Sequence, residues 1–198
     1  SLEEQIAVDV VLGRMEGSRA PDGLVAVLDA TNLYQGLFLL QQLVDLEIPM
    51  VVAMTMNDAA MQGGIKIDIE MLSAALGGVR IYPVVATSGA GMDALREAIA
   101  SLPESAPTQR LSVWPALTRA AEQLSYSAGK SLSLAESERL LVDGITERNQ
   151  SFATGLGSET QALLHELREE VFSGKPPISV EAQVRYDWVR TTLKSVQQ

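Results

Sequence analysis

The sequence predicts an α/β unit on a small parallel sheet, followed by an all-helical bundle. Three observations predict it. Short apolar runs recur at residues 24–29, 50–55 and 81–86. Segments with helical spacing separate them. After Pro103 only helical patterns remain. Strands that alternate with helices imply crossover connections and a parallel sheet.

The elements follow in order. Residues 1–16 read as a helix, with Ser1 as cap, Glu4 at capping-box spacing, and Ile6, Val10 and Val11 on one face. Residues 17–23 are loop. Leu24-Val-Ala-Val-Leu-Asp29 is short and valine-rich, which favours a buried parallel strand. Leu33, Leu37, Leu40 and Val44 recur on one helical face, and Pro49 ends that element. Met50-Val-Val-Ala-Met-Thr55 is a second buried strand. Residues 65–76 contain a short helix, capped by Asp68 and stopped by Gly77 and Gly78. Residues 81–86 form the third strand, 87–91 a turn and 92–101 a helix. Residues 104–110 are a polar connector. Helices follow near 114–127, 133–146, 158–172 and 179–196, with Ser133 and Ser179 as caps. The domains are expected at 1–103 and 104–198, the second an antiparallel bundle.

Composition narrows the function classes. The formal net charge is −10, with 25 acidic against 15 basic residues. Such a surface repels phosphate backbones, so no nucleic-acid partner is expected. The chain has no cysteine, which excludes disulfides and thiolate metal sites. The longest apolar stretch, around residues 48–56, falls well short of the roughly 20 residues of a membrane helix. No signal peptide is read at the N-terminus.

Ligands of open parallel sheets bind beyond the carboxyl ends of the strands. Three such ends are candidates. Asp29 and Asn32 are read as fixing a turn and capping the next helix. At the second end, the Asp58 carboxylate can accept from the paired N–H donors of guanine, which adenine lacks. Capping of the following short helix is the commoner role for an aspartate in that place. Ala86, Thr87 and Ser88 form a strand-to-helix turn whose backbone N–H groups can meet a base carbonyl or an anion. Gly89 and Gly91 also fit an ordinary turn. The single histidine, His165, reads as a surface helical residue, and Glu169-Glu170 as a solvated face. The methionines 50, 54, 61, 71 and 92 read as core filler, with Met56 as the exception.

Four segments together resemble one family. They are Val27-Leu-Asp-Ala-Thr-Asn-Leu33, Leu46-Glu-Ile-Pro-Met-Val-Val-Ala53, Ile69-Glu-Met-Leu-Ser-Ala-Ala-Leu-Gly77 and Pro83-Val-Val-Ala-Thr-Ser-Gly-Ala-Gly-Met-Asp-Ala-Leu95. They resemble the GTPase domain of FeoB, the bacterial ferrous iron transporter. Ser1-Leu-Glu-Glu-Gln-Ile-Ala7 resembles the stretch after that family's second switch. The tail, closing with Val184-Arg-Tyr-Asp-Trp-Val189, resembles its helical domain.

The resemblance implies a partial GTPase-type, P-loop NTPase-like sheet followed by a helical domain. It places the guanine-reading motif on Thr55, Met56, Asn57 and Asp58. Asp58 would accept from the guanine edge, and Met56 would lie over the base. Ala86, Thr87 and Ser88 would form the loop at the base carbonyl. Thr55 stands where the family carries Asn, and Ala86 where it more often has Ser. A hydroxyl makes fewer hydrogen bonds than an amide, which points to weaker guanine affinity or selectivity.

The phosphate loop, first switch and Asp-x-x-Gly segment do not occur in the sequence. Gly129-Lys-Ser131 and Gly155-Leu-Gly-Ser158 lack a preceding strand. The family places the missing parts, with the ligands of Mg2+, before residue 1. The implied cofactors are therefore GTP or GDP with Mg2+. The implied activity is GTP hydrolysis by the intact domain, this stretch alone being inactive. The implied location is the cytoplasmic face of the bacterial inner membrane. The implied partner is the transmembrane iron-transport domain of the same polypeptide, and a homo-oligomer is left open. Two other readings stand beside this one. One is an NTPase of relaxed base specificity; the other is a non-catalytic helical interaction module.

Overall fold

The computed structural model describes residues 10–11, 19, 21–105, 108–111, 113–129, 131–146 and 149–197. The expected first helix lies outside them except at residues 10 and 11, which are helical, and so does the likeness over residues 1–7. The chain divides into two compact units, Ser1–Leu111 with Val189–Gln198, and Ser112–Trp188.

The first unit holds the sheet. Strands β1 (Leu24–Asp29), β2 (Met50–Thr55) and β3 (Arg80–Pro83) run parallel in the order β1-β2-β3. In register, Ala26 faces Val52 and Val52 faces Ile81. The central β2 is buried from Met50 to Met54, as an unbroken apolar run in a sheet covered on both faces should be. β1 departs from the expectation of full burial. Ala26 and Leu28 are buried, but Val25 is 42% and Val27 69% exposed, because one face of this edge strand is uncovered. β3 is shorter than expected. Its register pairing with β2 ends at Pro83, the Val84 N–H still donating to the Met54 carbonyl at 2.8 Å, and Val85 then pairs with Ala90 across the next turn.

Helix α1 (Leu33–Val44) connects β1 to β2, α2 (Asn57–Gln62) and α3 (Ile69–Ala75) connect β2 to β3, and α4 (Met92–Ala100) follows β3. α1 buries Leu33, Leu37, Leu40 and Val44, the stripe its spacing predicts. Asp68 caps α3 as expected, accepting from the Met71 N–H at 2.9 Å. Met50 and Met54 are core residues, but Met61 and Met71 are exposed. Their helices bury only Ala60 and Leu72, which leaves those methionines on the outer side. The connector is held in place: the buried Thr108 hydroxyl donates to the Val44 carbonyl at 2.8 Å. The chain's end returns here too. The Asp68 N–H donates to the Val196 carbonyl at 2.8 Å, and Ile67 bridges Gln197.

The second unit contains α5 (Pro115–Ser127), α6 (Leu134–Asp143), α7 (Gln150–Ala153), α8 (Ser158–Phe172) and the first part of α9 (Pro177–Val196). Leu117, Leu124, Leu140, Leu141, Leu164 and Phe172 form its core. Trp114 meets Phe172 edge to face, ring centres 5.5 Å apart. The Arg168 guanidinium donates to the Leu140 and Leu141 carbonyls near the end of α6, where a cation also complements the helix dipole. Ser179 does not cap α9, which starts two residues earlier at Pro177, since proline's fixed φ suits a first helical position.

Ser133 caps α6 in a full capping box. The Glu136 carboxylate accepts from the Ser133 N–H and hydroxyl, both at 2.7 Å, and the Ser133 hydroxyl bond, then its N–H, holds that carboxyl below the ordinary glutamate range. The folded state thus favours the ionised form. The contribution is complete above the ordinary glutamate range and is lost as pH falls through the lowered value. Ser133→Ala is expected to destabilise the protein by about 1 kcal/mol at neutral pH. Thermal melts should show that gap narrowing in acid to the share of the Glu136 N–H bond to the Ser133 hydroxyl; a gap independent of pH refutes the role given to the Glu136 carboxylate.

Candidate functional site

The carboxyl ends of the three strands carry the candidate residues. At the end of β1, Asp29 is engaged by its own turn. Its Oδ1 accepts from the Thr31 N–H at 2.8 Å and the Thr31 hydroxyl at 2.6 Å. The hydroxyl bond, followed by the N–H, lowers its pKa. This is the turn-fixing role expected. Asn32 occupies the cap position of α1, but its side chain makes no capping bond and donates instead to Gln35 at 2.9 Å.

At the end of β2 the chain turns sharply. The Thr55 carbonyl accepts from the Ala30 N–H, and its hydroxyl points inward, 3.4 Å from the Leu28 carbonyl. Met56 is left-handed, at φ 58° and ψ 24°, a conformation that costs a non-glycine residue about 1 kcal/mol. Its side chain is about half exposed. Asn57 is half-buried, and its Nδ2 donates to the Met54 carbonyl at 2.6 Å. Asp58 is exposed in the first turn of α2. It does not cap that helix: Met56 occupies the cap position and no side-chain cap bond is made. Among the described residues no hydrogen bond or ion pair occupies the Asp58 carboxylate.

Beyond β3 the chain forms a tight loop. The Ser88 and Gly89 N–H groups both donate to the Val85 carbonyl, at 3.2 and 2.9 Å. The Ser88 hydroxyl is 3.4 Å from that carbonyl. The Ala86 and Thr87 N–H groups have no such partner among the described residues, and both residues are exposed. Gly91 then occupies the cap position of α4 with φ 76°. β2 and β3 are neighbours, with Met54 opposite Pro83. A free carboxylate and free amides thus leave adjacent strand ends, the acceptor-plus-donor set that a guanine edge requires.

Thr55 thus ends β2, Met56 and Asp58 stand at the cap and first turn of α2, and Ala86, Thr87 and Ser88 lie on the loop after β3. The tie from Asn57 to the Met54 carbonyl is not read from sequence; asparagine's habit of tying turns to backbone is the available signal. His165, Glu169 and Glu170 lie exposed on α8. Among the described residues, no group of three or more His, Cys, Asp or Glu side chains can hold a metal. Among them, too, no helix is long and apolar enough to cross a membrane.

Comparison with known proteins gives a consistent result. A family model described as ferrous iron transport protein B matches residues 1–99. The Fe(2+) transporter FeoB of Escherichia coli K12 is 44% identical over 99 residues, which are 50% of this chain and 12% of that protein. The Salmonella typhimurium transporter is 42% identical over the same extent. The match thus spans 12% of the length of these relatives. The solved cytosolic domain of the T. maritima FeoB iron transporter in GMPPNP form superposes with a TM-score of 0.72 at 20% identity, over 100% of this chain and 74% of that one. A point mutant of S. thermophilus NFeoB bound to GDP gives 0.77 at 23%, over 100% and 76%. The cytosolic domain of L. pneumophila FeoB gives 0.64 at 28%, over 100% and 73%.

Proposed function

We propose, on the premise that this chain belongs to the ferrous iron transport protein B family, that its sheet unit supplies the base-reading half of a guanine-nucleotide site. The observation that carries this is the free Asp58 carboxylate beside the free loop amides. Asp58 accepts from the ring N–H and exocyclic amine of guanine. The Thr87 N–H donates to the base carbonyl, with Ala86 and Ser88 shaping the loop. Met56 covers the base face. The phosphates and Mg2+ are held by residues of the intact protein outside this stretch, and no hydrolysis step is assigned to the residues described. The intact protein is read as a GTPase on the cytoplasmic side of the bacterial inner membrane. Its helical unit couples nucleotide state to ferrous iron passage through the membrane domain.

The inward-turned Thr55 hydroxyl supports a second reading, an NTPase of relaxed base specificity. Competition on the intact protein carrying this chain separates the two. GDP should displace a labelled guanine nucleotide at about a hundredfold lower concentration than ADP, since adenine lacks both donors to Asp58. Equal competition establishes the relaxed reading. Binding of neither nucleotide leaves the helical interaction module.

A further inference from the structure

We propose that Asn57 is a positioning residue that sets the Asp58 carboxylate against the Ala86–Ser88 loop; this rests on the base-reading role given above. The Met54 carbonyl carries the argument. It accepts from the Asn57 Nδ2 at 2.6 Å and from the Val84 N–H at 2.8 Å. Asn57 precedes Asp58, and Val84 stands two residues before Ala86. One oxygen atom is therefore the meeting point of the two loops.

The bond to Asn57 also closes the turn around Met56. A left-handed methionine persists only where its surroundings hold it. The Ala60 N–H donates to the Met56 carbonyl at 2.9 Å and anchors the far side of the turn. The near side is anchored by the Asn57 amide. Without that donor the turn is free to relax, and the exposed Asp58, which has no partner of its own, moves with it. Asn57 does not touch the base. It acts by fixing where the acceptor lies relative to the Thr87 N–H.

The test compares GDP with inosine diphosphate on the intact protein. Hypoxanthine keeps the ring N–H and carbonyl but lacks the exocyclic amine, so the affinity ratio reports the bond from that amine to Asp58. The unsubstituted protein should prefer GDP by about tenfold or more, the value of one hydrogen bond to a charged group. Asn57→Ala should bring the ratio close to one while inosine diphosphate still binds. Asn57→Leu keeps the volume without a donor and should do the same. Equal losses for both nucleotides, or a ratio restored by leucine, overturn the positioning role and leave base reading intact. No preference in the unsubstituted protein removes the base-reading role itself, and the positioning role with it.

Discussion

Asp58→Asn is expected to lower the GDP affinity of the intact protein by about a hundredfold or more and to raise its affinity for xanthosine diphosphate. A carboxylate accepts two hydrogen bonds from guanine, each charge-assisted. An amide can accept only one and turns a donor toward the guanine amine. Charge-assisted bonds contribute about 1.5–3 kcal/mol each, and a donor facing a donor adds a penalty. Xanthine has a carbonyl where guanine has the amine, so the new N–H finds an acceptor there. The substitution should leave the fold intact, because Asp58 is exposed and makes no bond within the described residues. Isothermal titration with both nucleotides checks it. Unchanged GDP affinity would remove Asp58 from the site; a fall without the xanthosine gain would mean that Asp58 acts through shape or charge instead of through paired bonds.

Gly91→Ala is expected to destabilise the protein by about 2–4 kcal/mol and to weaken nucleotide binding, from two causes that add. Gly91 has φ 76°, which costs an alanine about 1 kcal/mol. A Cβ there would lie 2.1 Å from the Pro83 carbonyl oxygen, a backbone atom at the last residue of β3. Relief requires displacement of the loop between them, at about 1–3 kcal/mol. That loop is the one that presents the Thr87 N–H. Gly89 supplies the control. Its φ is 77°, but a Cβ there meets nothing within 4 Å. Gly89→Ala should therefore cost only the conformational share, about 1 kcal/mol. Equal losses in thermal denaturation would show that the close approach at Gly91 has no effect.

Much of this was legible in the sequence for definable reasons. Periodicity located α1, α4, α5 and α8, because each buries one stripe over nine residues or more. Asp68 and Ser133 were legible as caps because capping is a local bond between near neighbours. The four-residue α7 was not read, and α2 only as a short helix after Asp58 without bounds, since neither is long enough to show a period. The uncovered face of β1 was hidden for a different reason. Valine content reports strand preference, but exposure depends on what packs against the strand. Within the site, strand-end positions made Asp58 and Thr87 candidates, and the family resemblance added a place for Thr55 in the motif. They could not show that Asp58 is free of the helix it enters, or that Met54 serves two loops. Both depend on a backbone path around Met56 that sequence does not specify.

The sheet unit is assembled from two separated stretches of chain, closed where Ile67 and Asp68 meet Gln197 and Val196. This has a temporal consequence. On a ribosome, residues 24–111 emerge well before 189–197. The buried Val189, Thr192 and Val196 are therefore among the last packing partners to arrive. Until they do, the first unit lacks part of its packing, and contacts so distant in sequence close slowly. The intervening bundle is complete in sequence before that closure. The order of synthesis thus favours a bundle that forms first and a sheet unit that locks last.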